Sequence, residues 1–216
     1  PDKLVEHPTQ YSKAYMTTIT NKYKKATIMV AKKSGGSADG SAHGDATLDG
    51  AVFQLYSDKA CTQKAKVFDA AGNAKIAGVY RISGGKLTTD YLRSGNTYYL
   101  KEIQAPTGFL LSDEVKELKI DASAKTDEFT PILFQTNFAD TPIKGKIAVK
   151  KKSYDPTKKE YYPENNTTVQ VYLKSKGSYD NCADDERATI KTDADGYAVT
   201  GDLVYGTYVV HQVDSG

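Results

Sequence analysis

The chain has 216 residues, 39% of them hydrophobic, with no Trp, 6 Phe and 16 Tyr. That is enough for one large domain or two ordinary ones, each with a modest core. The 29 basic and 27 acidic residues leave a net charge of +2 and are interspersed, which excludes the basic footprint of a nucleic-acid binder and an anionic-membrane surface. No apolar run is long enough to span a bilayer, so membrane insertion is not expected.

Residues 1–25 read as the last strand of a preceding domain or a linker, with Tyr15, Thr17, Ile19 and Asn21 on one face. Asn21 is a candidate bond-forming amide of that preceding domain. Two Lys-rich runs, Lys22–Lys25 and Lys150–Lys152, border apolar strands and read as strand ends, not polybasic patches. A strand is expected at 26–33, with Ile28, Val30 and Lys32 on one face because side chains alternate. The Gly/Ser/Asp segment 34–47 is expected to be a mobile loop. Further strands are expected at 50–57, 64–69, 75–82, 86–92, 96–103, 115–121 and 132–138. Short strands with turn residues at this spacing, and no helical period, predict an all-β chain of Greek-key β-sandwiches.

The pattern then repeats. KGKIAVKKK (144–152) copies the layout of KKATIMVAKK (24–33), and IKTDADGYAVTGDLVYGTYVVHQV (190–213) copies LTTDYLRSGNTYYLKEI (87–103). The period of roughly 110–120 residues is a common domain size. The expected organisation is a complete domain over 26–140 and a second over 141–216 that lacks its last strands. The segment 11–22 is a candidate donor strand for the open edge of a neighbouring molecule.

Three polar residues fall in phase with apolar neighbours: Lys32, Glu102 (beside Tyr98 and Leu100) and Asn137. Two readings are open. They can snorkel or pair at the sandwich rim. Or burial can drive Lys32 to the neutral amine and Glu102 to the protonated acid. A neutral amine is a nucleophile, and a protonated acid can polarise the Asn137 amide and move protons as ammonia leaves. Gln135 shares the Asn137 face, which requires either a bulge before Asn137 or a place for Gln135 at the sandwich edge.

YYLKEIQAPTGF (98–109), together with LDGAVFQLY (48–56) and MVAKKSG (29–35), resembles the signature of Cna B-type domains, the prealbumin-like, SpaA-like modules of Gram-positive pilins and surface adhesins. The resemblance implies a cell-wall-anchored, extracellular structural stalk stabilised by an autocatalytic Lys–Asn isopeptide bond. It implies Lys32 as the reactive lysine, Glu102 as the catalytic proton shuttle in a single turnover, and Asn137 as the amide. The partners implied are flanking domains of the same chain. The alternative is a ligand-binding adhesin module contacting a host extracellular protein or glycan through 34–47 or 58–63.

In the second domain Lys151 has the phase of Lys32, but Gln212 stands where the acid should be, and Gln does not shuttle a proton as a carboxylic acid does. No Glu-assisted bond is expected there within these residues. Asp193–Gly196 reads as a hairpin turn and Cys61 and Cys182 as free thiols; no cofactor or metal site is expected. Tyr-Pro-Glu at 162–164 places Glu164 where a pilin-linking motif would have Lys.

Overall fold

Alternating Val, Ile, Tyr and Thr, broken every few residues by Gly, Asp or Asn, allow little besides short strands. A computed structural model describes residues 17–19, 24–123 and 130–214; Asn21 and most of the 11–22 segment lie outside the described residues. The first strand group comprises β1 (Lys25–Ser34), β2 (Val52–Tyr56), β3 (Lys66–Phe68), β4 (Ala74–Ile76), β5 (Val79–Arg81), β6 (Lys86–Thr88), β7 (Leu92–Arg93), β8 (Thr97–Gln104), β9 (Val115–Lys119) and β10 (Ile132–Asp140). The second comprises β11 (Lys144–Gly145), β12 (Ala148–Lys150), β13 (Lys152–Asp155), β14 (Glu160–Pro163), β15 (Thr168–Leu173), β16 (Arg187–Lys191), β17 (Tyr197–Val199), β18 (Leu203–Val204) and β19 (Tyr208–Asp214).

In the first group one sheet runs β5-β2-β8-β9. The other runs β10-β1-β6, with β7 also paired to β1. Their inner faces enclose one apolar core, including Ile28, Val30, Phe53, Leu55, Leu100 and Phe138. This is the face-to-face packing of a β-sandwich. The expected strand at 75–82 divides into β4 and β5 at Ala77-Gly78, and the two halves join different partners, β3 and β2.

The first and last strands, β1 and β10, pair in parallel, from Ala26 opposite Ile132 to Ser34 opposite Asp140 without a register break. No bulge precedes Asn137. Along β10 the inward set is Ile132, Phe134, Thr136, Phe138 and Asp140; Leu133, Gln135, Asn137 and Ala139 are exposed.

The second group repeats the pairings. β12 pairs with β17 as β1 does with β6, and β15 pairs with β19 as β2 does with β8. Its core is smaller, built on Val169, Val171 and Leu203. The β13–β14 hairpin, with Tyr154 and Tyr161 cross-strand neighbours, lies between β12 and β15, where the first group has the strandless segment 35–51.

Candidate functional site: a buried amine between two carboxyls

Val30 and Lys32 point into the core because they share the inward phase of β1. Glu102 does the same on β8, opposite Phe53 of β2. Lys32 is 3% exposed, Glu102 0% and Asp140 1%. Lys32 Nζ lies 2.8 Å from Glu102 Oε1, and on its other side it contacts Asp140 Oδ1.

The structure thus joins two of the expected residues, Lys32 and Glu102, and replaces the third. Asp140 stands beside the amine, where the phase reading expected Asn137. Asn137 is exposed on the outer face of β10, opposite Ala31. Strand periodicity is two, so choosing the wrong phase reverses every side chain. Leu133 shares the phase of Gln135 and Asn137, yet it is 50% exposed, and Phe134 and Phe138 supply the core contacts instead. The Gln135 misfit disappears with this change, since Gln135 is exposed alongside Asn137.

Lys32 Nζ sits 5.5 Å from the Phe53 ring centroid and 5.9 Å from that of Phe138. Glu102 Oε2 accepts a hydrogen bond from the Ser112 backbone N–H at 3.2 Å, which leaves Oε1 turned toward the amine. Lys32 Nζ is within ion-pair range of Glu102 Oε1 and Asp140 Oδ1, but neither these three atoms nor Asp140 Oδ2 has an aligned hydrogen bond among the described residues. Ionised groups left in such surroundings cost several kcal/mol each unless well paired. Burial pushes the Glu102 carboxyl above its ordinary value, although Lys32 and the Ser112 N–H pull it back down. A desolvated amine beside a carboxyl can exchange a proton with it so that both become neutral. Neutral amine, carboxylic acid and an adjacent proton carrier are the components of amide condensation.

Lys151 takes the register position of Lys32. Its backbone N–H donates to Gly196 O at 2.7 Å, as that of Lys32 donates to Gly85 O at 2.9 Å. Gln212 faces Val169 as Glu102 faces Phe53, and in both ladders a register shift follows one step on. Lys151 Nζ instead pairs with Glu164 Oε2 at 3.1 Å, in a half-open setting. Asp193 closes the turn before β17 by accepting from the N–H groups of Asp195 and Tyr197. Cys61 and Cys182 are unpaired thiols. Among the described residues no group of three or more His, Cys, Asp or Glu is arranged to hold a metal ion.

The family profile of the SpaA prealbumin-like fold domain matches residues 39–131, which contain β2 to β9 and Glu102. This part of the chain is similar to the SpaA prealbumin-like fold domain. Among solved structures, the Bacillus anthracis TIE protein superposes with a TM-score of 0.56 at 16% identity, over 89% of this chain and 29% of that one. That likeness is one of fold, and this chain spans less than a third of the other protein's length. A streptococcal ancillary pilin gives a TM-score of 0.41 at 13% identity, over 89% of this chain and 54% of its own. The major pilin SpaD of Corynebacterium diphtheriae gives 0.40 at 22% identity, over 56% and 31%. No curated protein matches the sequence.

Proposed function

We propose that this chain is a stalk segment of a Gram-positive cell-surface pilin or adhesin, and that its first sandwich locks itself with an amide between Lys32 Nζ and the Asp140 side chain. The observation that carries this reading is the Lys32 amine held between two buried carboxyls, on the strands that begin and end the sandwich.

Balanced, the step is a condensation. Lys32 passes a proton to Asp140, and the neutral amine attacks the Asp140 carboxyl carbon. Glu102, protonated through burial, donates to the carboxyl oxygen and recovers a proton from the attacking nitrogen. The carbon–oxygen bond breaks and one water leaves. Neither an oxidant nor a cofactor enters this balance. Because β1 and β10 are parallel neighbours, force pulling on the ends of this sandwich would run into the new bond instead of shearing the ladder. The closed loop of about a hundred residues also restricts the unfolded chain, worth about 4–5 kcal/mol by analogy with a disulfide.

A host-ligand role for the 34–47 loop is less well supported, because residues 43–46 are packed against the second strand group. Extracellular location and anchoring to the cell wall follow from the stalk reading and form part of the proposal.

Intact-protein mass spectrometry tests it. The chain should be about 18 Da lighter than its sequence mass, the loss of one water, and fragmentation should join the Lys32 and Asp140 peptides. An unmodified mass, or a loss of ammonia with a crosslink at Asn137, would overturn it.

A further inference from the structure

The segment 35–47 is not a free loop. From the end of β1 it crosses to the second strand group and is fixed there at three successive residues. His43 Nδ1 lies 2.8 Å from Asp185 Oδ2. The Gly44 N–H donates to Glu186 Oε1 at 3.2 Å, and Glu186 is itself buried. The Asp45 N–H donates to Tyr205 O at 2.9 Å. The Asp45 carboxylate then accepts from the Ser175 hydroxyl at 2.6 Å and from the Thr207 N–H at 3.0 Å. These donors hold the Asp45 carboxyl below its ordinary value.

Two glycines show how closely the parts approach. Gly44 has φ +67°, and a Cβ there would lie 2.4 Å from Tyr205 O. Gly108, in the Ala-Pro-Thr-Gly-Phe turn, has φ +88°, and a Cβ there would lie 2.5 Å from the Ala46 Cβ and 3.1 Å from the Tyr205 ring. The connection between the two groups is laced to this same turn. Leu110 N–H donates to Thr141 O at 3.0 Å and Ile143 N–H to Gly108 O at 2.9 Å. The chain then continues directly into β11, which pairs with β18.

We infer that the 43–46 strap and the 105–109 turn form a rigid joint that holds the two strand groups in one fixed orientation, with Asp45 as its central fastener. Relative motion is the default for units joined by a short connection. Here rotation must break the Asp45 and Gly44 hydrogen bonds together and pull Tyr205 away from Gly108. The joint starts where the proposed crosslink ends: Gly35 N–H donates to Asp140 O at 2.8 Å, and Gly36 packs on Pro142. A pull transmitted through Asp140 therefore reaches the second group through a braced junction. The joint stands on its own contacts, whether or not Lys32 and Asp140 condense.

Double electron–electron resonance on the full chain tests this. Spin labels are placed at Lys75→Cys and Tyr161→Cys, exposed sites in the two groups, with Cys61→Ser removing the accessible thiol; Cys182 is buried. The parent should give a single narrow distance distribution. Asp45→Ala with Ser175→Ala should widen it about twofold or more. Far-UV circular dichroism and intact mass, recorded on the same samples, show whether each group still folds and whether the crosslink is present. A parent distribution as broad as the variant's, or a folded variant as narrow as the parent, would overturn the inference. Should the double variant lose its folded spectrum, Ser175→Ala alone, which removes one donor from an exposed carboxylate, supplies the decisive comparison by the same two criteria.

Discussion

Phe53 and Phe138 meet edge to face, ring centroids 4.8 Å apart and planes at 62°. One ring comes from each sheet, so the pair holds β2 and β10 at the spacing at which Lys32 reaches both carboxyls. The rings also keep water away from the amine, whose nitrogen lies within 6 Å of both centroids. Phe138→Ala should cost about 3–5 kcal/mol from lost burial and the cavity left behind. More tellingly, it should leave a measurable fraction of molecules at the unmodified mass, because water entering the cavity solvates the amine. Chemical denaturation and intact mass on one preparation separate the two effects.

Asn137 and Asp140 occupy opposite faces of β10, and they predict opposite outcomes. Asp140→Ala should abolish the mass loss of about 18 Da and leave Lys32 and Glu102 as a buried pair. Asn137→Ala should change neither the mass nor, beyond about 0.5 kcal/mol, the stability, as expected of an exposed strand residue. Peptide mapping of the two variants is sufficient to decide.

Glu102→Gln keeps the shape of the side chain and removes its transferable proton. Lys32 and Asp140 should then remain unlinked after folding, returning the chain to its sequence mass. The uncrosslinked protein should melt on the order of 15 °C or more below the parent, given a loss of several kcal/mol in a unit of this size. If Glu102→Gln has the crosslinked mass, Glu102 is a structural partner and not the proton carrier.

Most of the strand inventory was legible because turn residues mark the strand ends and alternation marks the faces. Lys32 and Glu102 were legible for the same reason: each follows two unambiguous core residues, Ile28 and Val30 in one strand, Tyr98 and Leu100 in the other. Asp140 was not. β10 carries apolar side chains in both phases, Leu133 outward and Phe134 and Phe138 inward, so alternation alone leaves its phase open. The strap was hidden for a different reason. Gly44 and Asp45 look like loop composition, and their partners Ser175, Glu186, Tyr205 and Thr207 lie more than a hundred residues away, where no local pattern reports them.

Glu102 also predicts a pH dependence once its counter-charge is removed. Its carboxyl is raised above 4.5 chiefly by burial and is held back by Lys32. In Lys32→Met that restraint is gone and the carboxyl rises further. A group whose folded value is raised contributes its stability below the unfolded value, and loses it as the pH rises through the folded one. The urea midpoint of Lys32→Met should therefore fall as the pH rises above 4.5. Adding Glu102→Gln should flatten that slope. A slope that survives in the double variant would place its origin elsewhere.

The two thiols report on the two strand groups separately. Cys182 is 6% exposed, with its Sγ 3.5 Å from Ser178 O, whereas Cys61 lies half-buried in the turn after β2. Burial raises the Cys61 thiol, and only the thiolate reacts, so its alkylation should be slow at neutral pH and accelerate as pH increases. Cys182 should react only when the second group opens. Native protein given a thiol reagent should therefore gain one adduct, with the second appearing in denaturant. The crosslink proposed for the first group spans β1 to β10 and does not enclose Cys182. In Glu102→Gln, the denaturant concentration that exposes Cys182 should consequently move much less than the one that unfolds the first group. Equal shifts at both would mean that the two groups unfold as a single cooperative unit through their joint, with the crosslink protecting the whole.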